Sequence, residues 1–433
     1  MHQEAAFERL YHWVLTQVHN LSFSDAPELP PLVRQGLLTL QGRPILFSHC
    51  ISELSLSRRS SLVQAFIDAL TRGGPGGTPR PIELFSHDAL RYVGDIFGWL
   101  HQAMASERDF LLGIFGKVDD EIPTTLAQVT EGVCRPLRVR VEQVIMSDLA
   151  CVTAFKLASL LRFYSTIFAE FLPEQASLTV VCQEMCEFSM RVFISCLHTY
   201  TNQLLESVEE PPSDLVPTKG FKDALQLIQD ILSNQDLTRV QSEQVQSDLP
   251  QIFQVTVDPL LHYCSESATK LTAPNMATYL INCIYTLHST LSLYEFTEQW
   301  LEKLTAQQQA HIDTLADHQA SSFLVAAGLA ELYTLINRKG KNVKISEMRE
   351  FGGKQSLGEV EQRLSSFLST PDQHLLPQCV LLLSPTVRER VHKLSVDMLV
   401  RSYKLIYAVL QEDETLDSAQ YLQEPAKVKE LLS

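Results

Sequence analysis

Apolar residues recur along most of the chain at steps of three and four, the spacing that places side chains on one face of a helix. Leu62, Val63, Phe66, Ile67 and Leu70 form one such run, and Leu90, Val93, Ile96, Phe97 and Leu100 form the next. Val181, Met185, Phe188 and Val192 step by four, three and four; Ile284, Leu287, Leu291 and Tyr294 step by three, four and three. These are the seam spacings of helices that pack along their lengths. Strict apolar–polar alternation, the mark of a half-buried strand, is nearly absent. No internal repeat of about 34 or 40 residues stands out. The pattern predicts an all-α chain built of consecutive irregular helical bundles.

The breaks in that pattern carry equal information. Residues 73–81 hold four glycines and three prolines, which a helix interior does not accept, because proline lacks the amide donor and glycine loses the most backbone entropy. With helical spacing on both sides, this stretch reads as a fixed connector, and Ser86 or Asp88 stands where a cap for the second helix is needed. Further breaks are expected at 24–31, at 209–217, where Pro211 and Pro212 stop a helix, and over 337–358. Pro136 and Pro259 fall within helical patterns, where each kinks a helix or starts one. The tail after Gln411 is acidic, with one short helix over 425–432. The expected organisation is an amino-terminal helical segment with its Gly/Pro connector over 1–81, helical bundles over 82–210 and 218–338, and a carboxy-terminal bundle and tail over 357–433.

Candidate chemistry dissolves on inspection of spacing. The glycines at 73–77 lack the lysine and hydroxyl that a phosphate loop places after its last glycine, since Thr78, Pro79 and Arg80 follow Gly77. No strand leads into them, as a dinucleotide turn requires. Cys182, Cys186, Cys196 and His198 share one predicted helix, but Cys196 lies roughly 15 Å along the axis from Cys186, beyond the reach of one metal ion. His311 and His318 are about 10.5 Å apart on the same argument, and Asp313 and Asp317 read with them as a solvated face. Residues 353–358 miss the nucleophile-elbow spacing around their serine. The pairs Asp119/Asp120 and Glu209/Glu210 sit in turns. No catalytic, cofactor-binding or metal-binding residue is assigned.

Composition narrows the partners. Charged residues are 20% and hydrophobic ones 45% of the 433, and the formal charge is −16. That balance argues against general nucleic-acid binding, which needs a basic face. The longest apolar run, 323–330, is far short of a bilayer. The first residues show neither the basic region nor the apolar stretch of a signal peptide. Nine cysteines without framework spacing read as reduced thiols of a cytosolic protein. Two basic groups stand out: a run from Arg338 to Lys344 suited to weak contact with anionic lipid, at roughly 1 kcal/mol per charge, and Arg135, Arg138 and Arg140 around Pro136. Of these, Arg135 and Arg138 share a face and are free to pair with carboxylates of this chain or of a neighbour.

Several segments together resemble a known family. They are Phe66-Ile-Asp-Ala-Leu-Thr-Arg-Gly-Gly-Pro-Gly-Gly-Thr-Pro-Arg-Pro-Ile82, Ser86-His-Asp, Leu90-Arg-Tyr-Val-Gly-Asp95, Thr130-Glu-Gly-Val-Cys-Arg-Pro-Leu137, Val141-Glu-Gln-Val-Ile145, Val257-Asp-Pro-Leu-Leu261 and Leu293-Tyr-Glu-Phe-Thr297. In order and extent, from about Phe7 to the carboxyl end, they are similar to subunit 6 of the conserved oligomeric Golgi (COG) tethering complex. The resemblance implies a carboxy-terminal portion that begins after the family's long amino-terminal coiled-coil region. It also implies an elongated rod of bundles and a non-enzymatic role in vesicle tethering. The traffic implied is retrograde transport within the Golgi apparatus, which maintains the resident glycosylation enzymes. Implied partners are the other COG subunits, SNARE and Rab proteins and, by peripheral contact from the cytosolic side, the Golgi membrane; no nucleic acid and no cofactor is implied. Without the resemblance, the residues alone support a general cytosolic helical adaptor or scaffold.

Overall fold

The computed structural model describes residues 2–19, 30–115, 121–234, 242–339, 354–412 and 422–432. All regular elements among them are helical, with no strand. The chain divides into two compact units, Met1–Tyr200 with Ser233–Ser242, and Thr201–Leu232 with Glu243–Ser433, so the division falls inside a helix at Tyr200.

In the first unit the helices are α1 (His2–His19), α2 (Pro31–Leu40), α3 (Pro44–Thr71), α4 (Ala89–Phe115), α5 (Glu121–Thr130), α6 (Cys134–Ile145), α7 (Cys151–Phe171) and most of α8 (Ser177–Glu206). Pro31 and Pro44 open α2 and α3 at positions whose amides would be unpaired anyway. The apolar stripes expected of α3 and α4 face the core: Leu62, Phe66 and Leu70 are buried with Val93, Ile96, Phe97 and Leu100, and Val63, Ile67 and Leu90 pack half-buried against them. Across α4 and α7, Phe97 stacks on Tyr164 and Phe168 at 5.2 and 5.9 Å between ring centroids. One contiguous core reaches from Val14 to Met185 and takes in residues on both sides of the Gly/Pro connector.

That connector is folded upon itself. Arg72 and Gly73 both donate their amides to the Asp68 carbonyl at 2.8 Å, closing α3 with Gly73 in the left-handed region at φ 78°. The Gly74 amide donates to Pro79 O (2.8 Å) and the Gly77 amide to Gly74 O (2.9 Å). A Cβ on Gly74 would stand 2.3 Å from Thr78 O, so glycine is required there by contact and not by φ. Short 3₁₀ turns at Pro75–Gly77 and Ile82–Phe85 lead to α4. Of the two residues expected to cap it, Asp88 does so: its Oδ1 accepts from the Arg91 amide at 3.1 Å.

The second unit holds the end of α8, then α9 (Lys219–Ser233), α10 (Ser242–Ser267), α11 (Ala273–Leu291), α12 (Glu298–Ala326), α13 (Ala330–Lys339), α14 (Lys354–Ser369), the single turn α15 (Pro377–Val380), α16 (Pro385–Gln411) and α17 (Pro425–Leu432). Helices α11, α12 and α16 pack side by side. One core of this unit joins Ala277, Ile281, Ile312, Leu315 and Val391; another joins Phe323, Leu364, Phe367, Tyr403 and Val428. Pro250 and Pro259 both lie inside α10, whereas Pro136 sits in the first turn of α6. The stepped run 284–294 is helical only to Leu291. There the buried Thr297 hydroxyl donates to the carbonyls of Leu291 and Tyr294, both at 3.0 Å, and folds the chain into a turn that sets Phe296 at φ 63°.

Candidate interaction surfaces

The stretch 209–217, which reads from sequence as a polar break, is held by side chains of α10 and α11 and by a backbone amide of α9. The Glu209 carbonyl accepts from the Ser267 hydroxyl, its amide donates to Tyr263 Oη (3.4 Å), and its carboxylate accepts from the Gly220 amide (3.1 Å). Glu210 pairs with Lys270, and the hydrogen bond from that ammonium holds the Glu210 carboxyl below the usual carboxylate range. Leu215 is buried at φ 56°, its carbonyl accepting from Asn282 Nδ2 at 2.9 Å. Asn282 also donates to Leu381 O (3.1 Å) and accepts from the Leu383 amide (2.9 Å), so one buried amide fastens two loops to α11. Gln319 of α12 does the same for the adjoining turn, donating to His374 O (3.2 Å) and accepting from the Leu376 amide (2.7 Å) and the Cys379 thiol (3.4 Å). Sequence reasoning missed both amides, because an Asn or Gln on an apolar face carries no signal of what lies opposite.

The residues weighed for chemistry are placed apart or already engaged. Cys182 is buried in the first core and Cys186 half-buried beside it; Cys196 and His198 lie further along α8. Burial pushes the Cys50, Cys134 and Cys379 thiols up to about 11, and Cys182 higher still, so none offers a thiolate near neutrality. Among the described residues no group of three or more His, Cys, Asp or Glu side chains converges as metal ligands. On α12, His311 and His318 are half-buried while Asp313 and Asp317 are exposed; burial lowers the His311 pKa. Arg138 pairs within the chain with Glu142 (2.7 Å) and Glu184 (2.8 Å), and Arg140 with Glu83 (3.0 Å), while Arg135 is exposed. Asp119, Asp120, Gly353 and residues 340–344 of the basic run lie outside the described residues; Lys354 to Gly358 open α14.

A cleft of about 280 Å³ between α12, the 371–380 turn and α16 is lined by Gln319, Leu375, Cys379, Arg388 and His392 among others. Two of its polar groups are committed, Gln319 as above and Arg388 to the carbonyls of Val380 (3.0 Å) and Leu382 (2.9 Å), while Asp372, Glu389 and His392 also line it. Among its exposed residues the chain also offers apolar side chains on helices and turns. The turn after α11 exposes Leu293 at 78% and Phe296 at 42%. Helix α7 is 21 residues long and, despite Lys156 and Arg162, apolar enough by length and composition to span a bilayer, although no uninterrupted apolar run announces it. Its Ala154, Phe155, Leu161 and Phe168 are buried while Phe163 stays exposed, so the helix is a core element with an apolar outer face.

A chain of successive helical bundles with committed polar groups and apolar outer faces defines a binding scaffold. Solved structures with the same fold include one of the exocyst subunit Exo70p, with a TM-score of 0.58 at 10% identity, covering 99% of this chain and 86% of that one. Another, of S. cerevisiae Exo70p, has a TM-score of 0.56 at 9% identity over 99% and 87%. Residues 1–432 match the family described as Conserved Oligomeric Golgi complex subunit 6, C-terminal, and the chain belongs to that family. Relatives named conserved oligomeric Golgi complex subunit 6 are 38% identical in Homo sapiens and 37% in Bos taurus, each aligned over 100% of this chain and 67% of the relative. The Drosophila melanogaster relative is 36% identical over 94% of this chain and 64% of its own length.

Proposed function

We propose that this chain is a non-enzymatic subunit of a Golgi vesicle-tethering complex, acting in retrograde intra-Golgi transport and so in the retention of Golgi glycosylation enzymes. The observation that carries this reading is the family match over residues 1–432, joined to an all-helical fold shared with an exocyst subunit. The subunit works by position. Binding surfaces on successive bundles, those within 82–210, 218–338 and 357–433, engage sister subunits, SNAREs and Rabs. Each weak contact raises the effective concentration for the next. The protein sits on the cytosolic side of the Golgi membrane as a peripheral component. Such a role needs committed internal hydrogen bonds and outward apolar faces, the pattern seen around Asn282, Gln319 and α7.

Affinity purification of the tagged chain from cells tests this. The expected result is recovery of the other subunits of the Golgi complex. Recovery of an unrelated complex assigns the chain to the general adaptors, and turnover of a small substrate by the isolated chain overturns the non-enzymatic reading.

A further inference from the structure

On a chain whose formal charge is −16, α16 runs the other way. It carries five cations, Arg388, Arg390, Lys393, Arg401 and Lys404, against the two carboxylates Glu389 and Asp397. Arg388 is spent on the carbonyls of Val380 and Leu382. The remaining four cations are exposed, and among the described residues none meets a carboxylate. They lie with Asp397 at 390, 393, 397, 401 and 404, steps of three, four, four and three. That averages 3.5 residues, which confines them to an arc of roughly 80° over about 21 Å of helix. The one acid on the stripe is neutralised by Lys429 of α17 at 3.1 Å. Beside it runs a row of half-buried apolar side chains, Leu394, Met398 and Leu405. At the amino-terminal end, Arg390 closes an open groove of about 450 Å³ whose other wall is Leu301, Glu302, Thr305, Ala306 and Gln309 of α12.

We infer that this face of α16 docks an acidic amphipathic helix of a partner protein. A helix carrying Asp or Glu at the same three–four spacing meets all four cations at once and lays its adjoining apolar positions on Leu394, Met398 and Leu405. Charge complementarity of this kind sets register and speeds encounter. A bilayer is the poorer occupant: a plane of anionic headgroups also faces Glu389 and Glu412 at the two ends of the stripe and the acidic remainder of the chain, whereas a helix stays within the stripe. The inference rests on the reading of the chain as a complex subunit and adds the surface and the chemistry of one partner.

The test uses the assembled protein, purified through a tag on this chain and treated with a carbodiimide, which joins a lysine amine directly to a touching carboxylate. Lys393 and Lys404 are expected to link to Asp or Glu residues of one other polypeptide, separated there by helical multiples such as seven or eleven. Exchanging Lys393, Arg401 and Lys404 together for Glu lowers the links and the recovery of that polypeptide by at least about tenfold. The milder set Lys393→Gln, Arg401→Gln and Lys404→Gln, with an unchanged helical spectrum, gives an intermediate loss. Links confined to carboxylates of this chain, recovery unaffected by the reversal, or loss instead of binding to phosphatidylserine vesicles overturns the inference. If sister subunits are recovered but Lys393 and Lys404 stay unlinked, the docking face alone fails; if nothing is recovered, the subunit reading fails with it.

Discussion

Two full charges sit in the core of the first unit, where Arg58 Nε donates to Glu107 Oε2 at 3.1 Å, a second guanidinium nitrogen contacts Oε1, and the cation lies 5.1 Å from the Phe110 ring centroid. Neutralising Glu107 leaves the buried guanidinium without the carboxylate charge that faces it. Glu107→Gln is expected to destabilise by about 3–5 kcal/mol, while the double change Arg58→Met with Glu107→Leu recovers most of that loss, as urea unfolding reads. A second residue-scale expectation concerns His311. Burial favours its neutral ring, so its folded pKa lies below the unfolded value of about 6.5. Above that value folded and unfolded states are both neutral and the group adds no pH dependence. As pH falls below it, the unfolded chain takes up the proton first and stability drops, levelling only below the folded pKa. Unfolding midpoints at pH 7.5 and 5.5 should therefore differ less in His311→Asn than in the parent.

Loops in this protein are held by single buried groups, and that sets the predictions at the scale of elements. Replacing Asn282 by Leu leaves the Leu215 and Leu381 carbonyls and the Leu383 amide without their partner. The expected cost is about 1–3 kcal/mol for each group that water does not reach. Hydrogen exchange should rise together in 212–217 and 380–384, two stretches far apart in sequence, and much less around His374, which Gln319 holds. In the Gly/Pro connector the glycines separate by mechanism. Gly74→Ala drives a methyl group into Thr78 O, whereas Gly77→Ala meets nothing within 4 Å and bears only the left-handed backbone cost, about 1–2 kcal/mol. Gly74→Ala should lower the thermal midpoint by clearly more than Gly77→Ala.

At the scale of the whole molecule the −16 charge governs colloidal behaviour. Like charge keeps copies apart at neutral pH and vanishes near the isoelectric point of about 5.3. Light scattering should thus pass through a maximum near that pH and fall on either side. The family relationship was legible in residues 66–82 and the segments that follow, and within 66–82 the connector's Gly73 and Gly77 adopt the left-handed region while Gly74 has no room for a Cβ. The all-α class was legible for the same kind of local reason. The stripe of α3 and that of α4 face the core as their spacing requires, and Asp88 caps where a short acceptor was expected.

Periodicity and backbone-breaking residues are properties of neighbours in sequence, so the chain alone determined its helical class, the Gly/Pro connector at 73–81 and its kinship. Partnership across space is not. Nothing local distinguishes Arg140, paired with Glu83 from far along the chain, from Lys404, left facing solvent. Nor does any local feature say that Asn282 clamps two loops, or that the seam through Leu291 ends before Tyr294 because Thr297 turns the chain. Those outcomes depend on which element lies opposite, and only the packed fold decides that, since a polar side chain is buried, paired or exposed according to what approaches it.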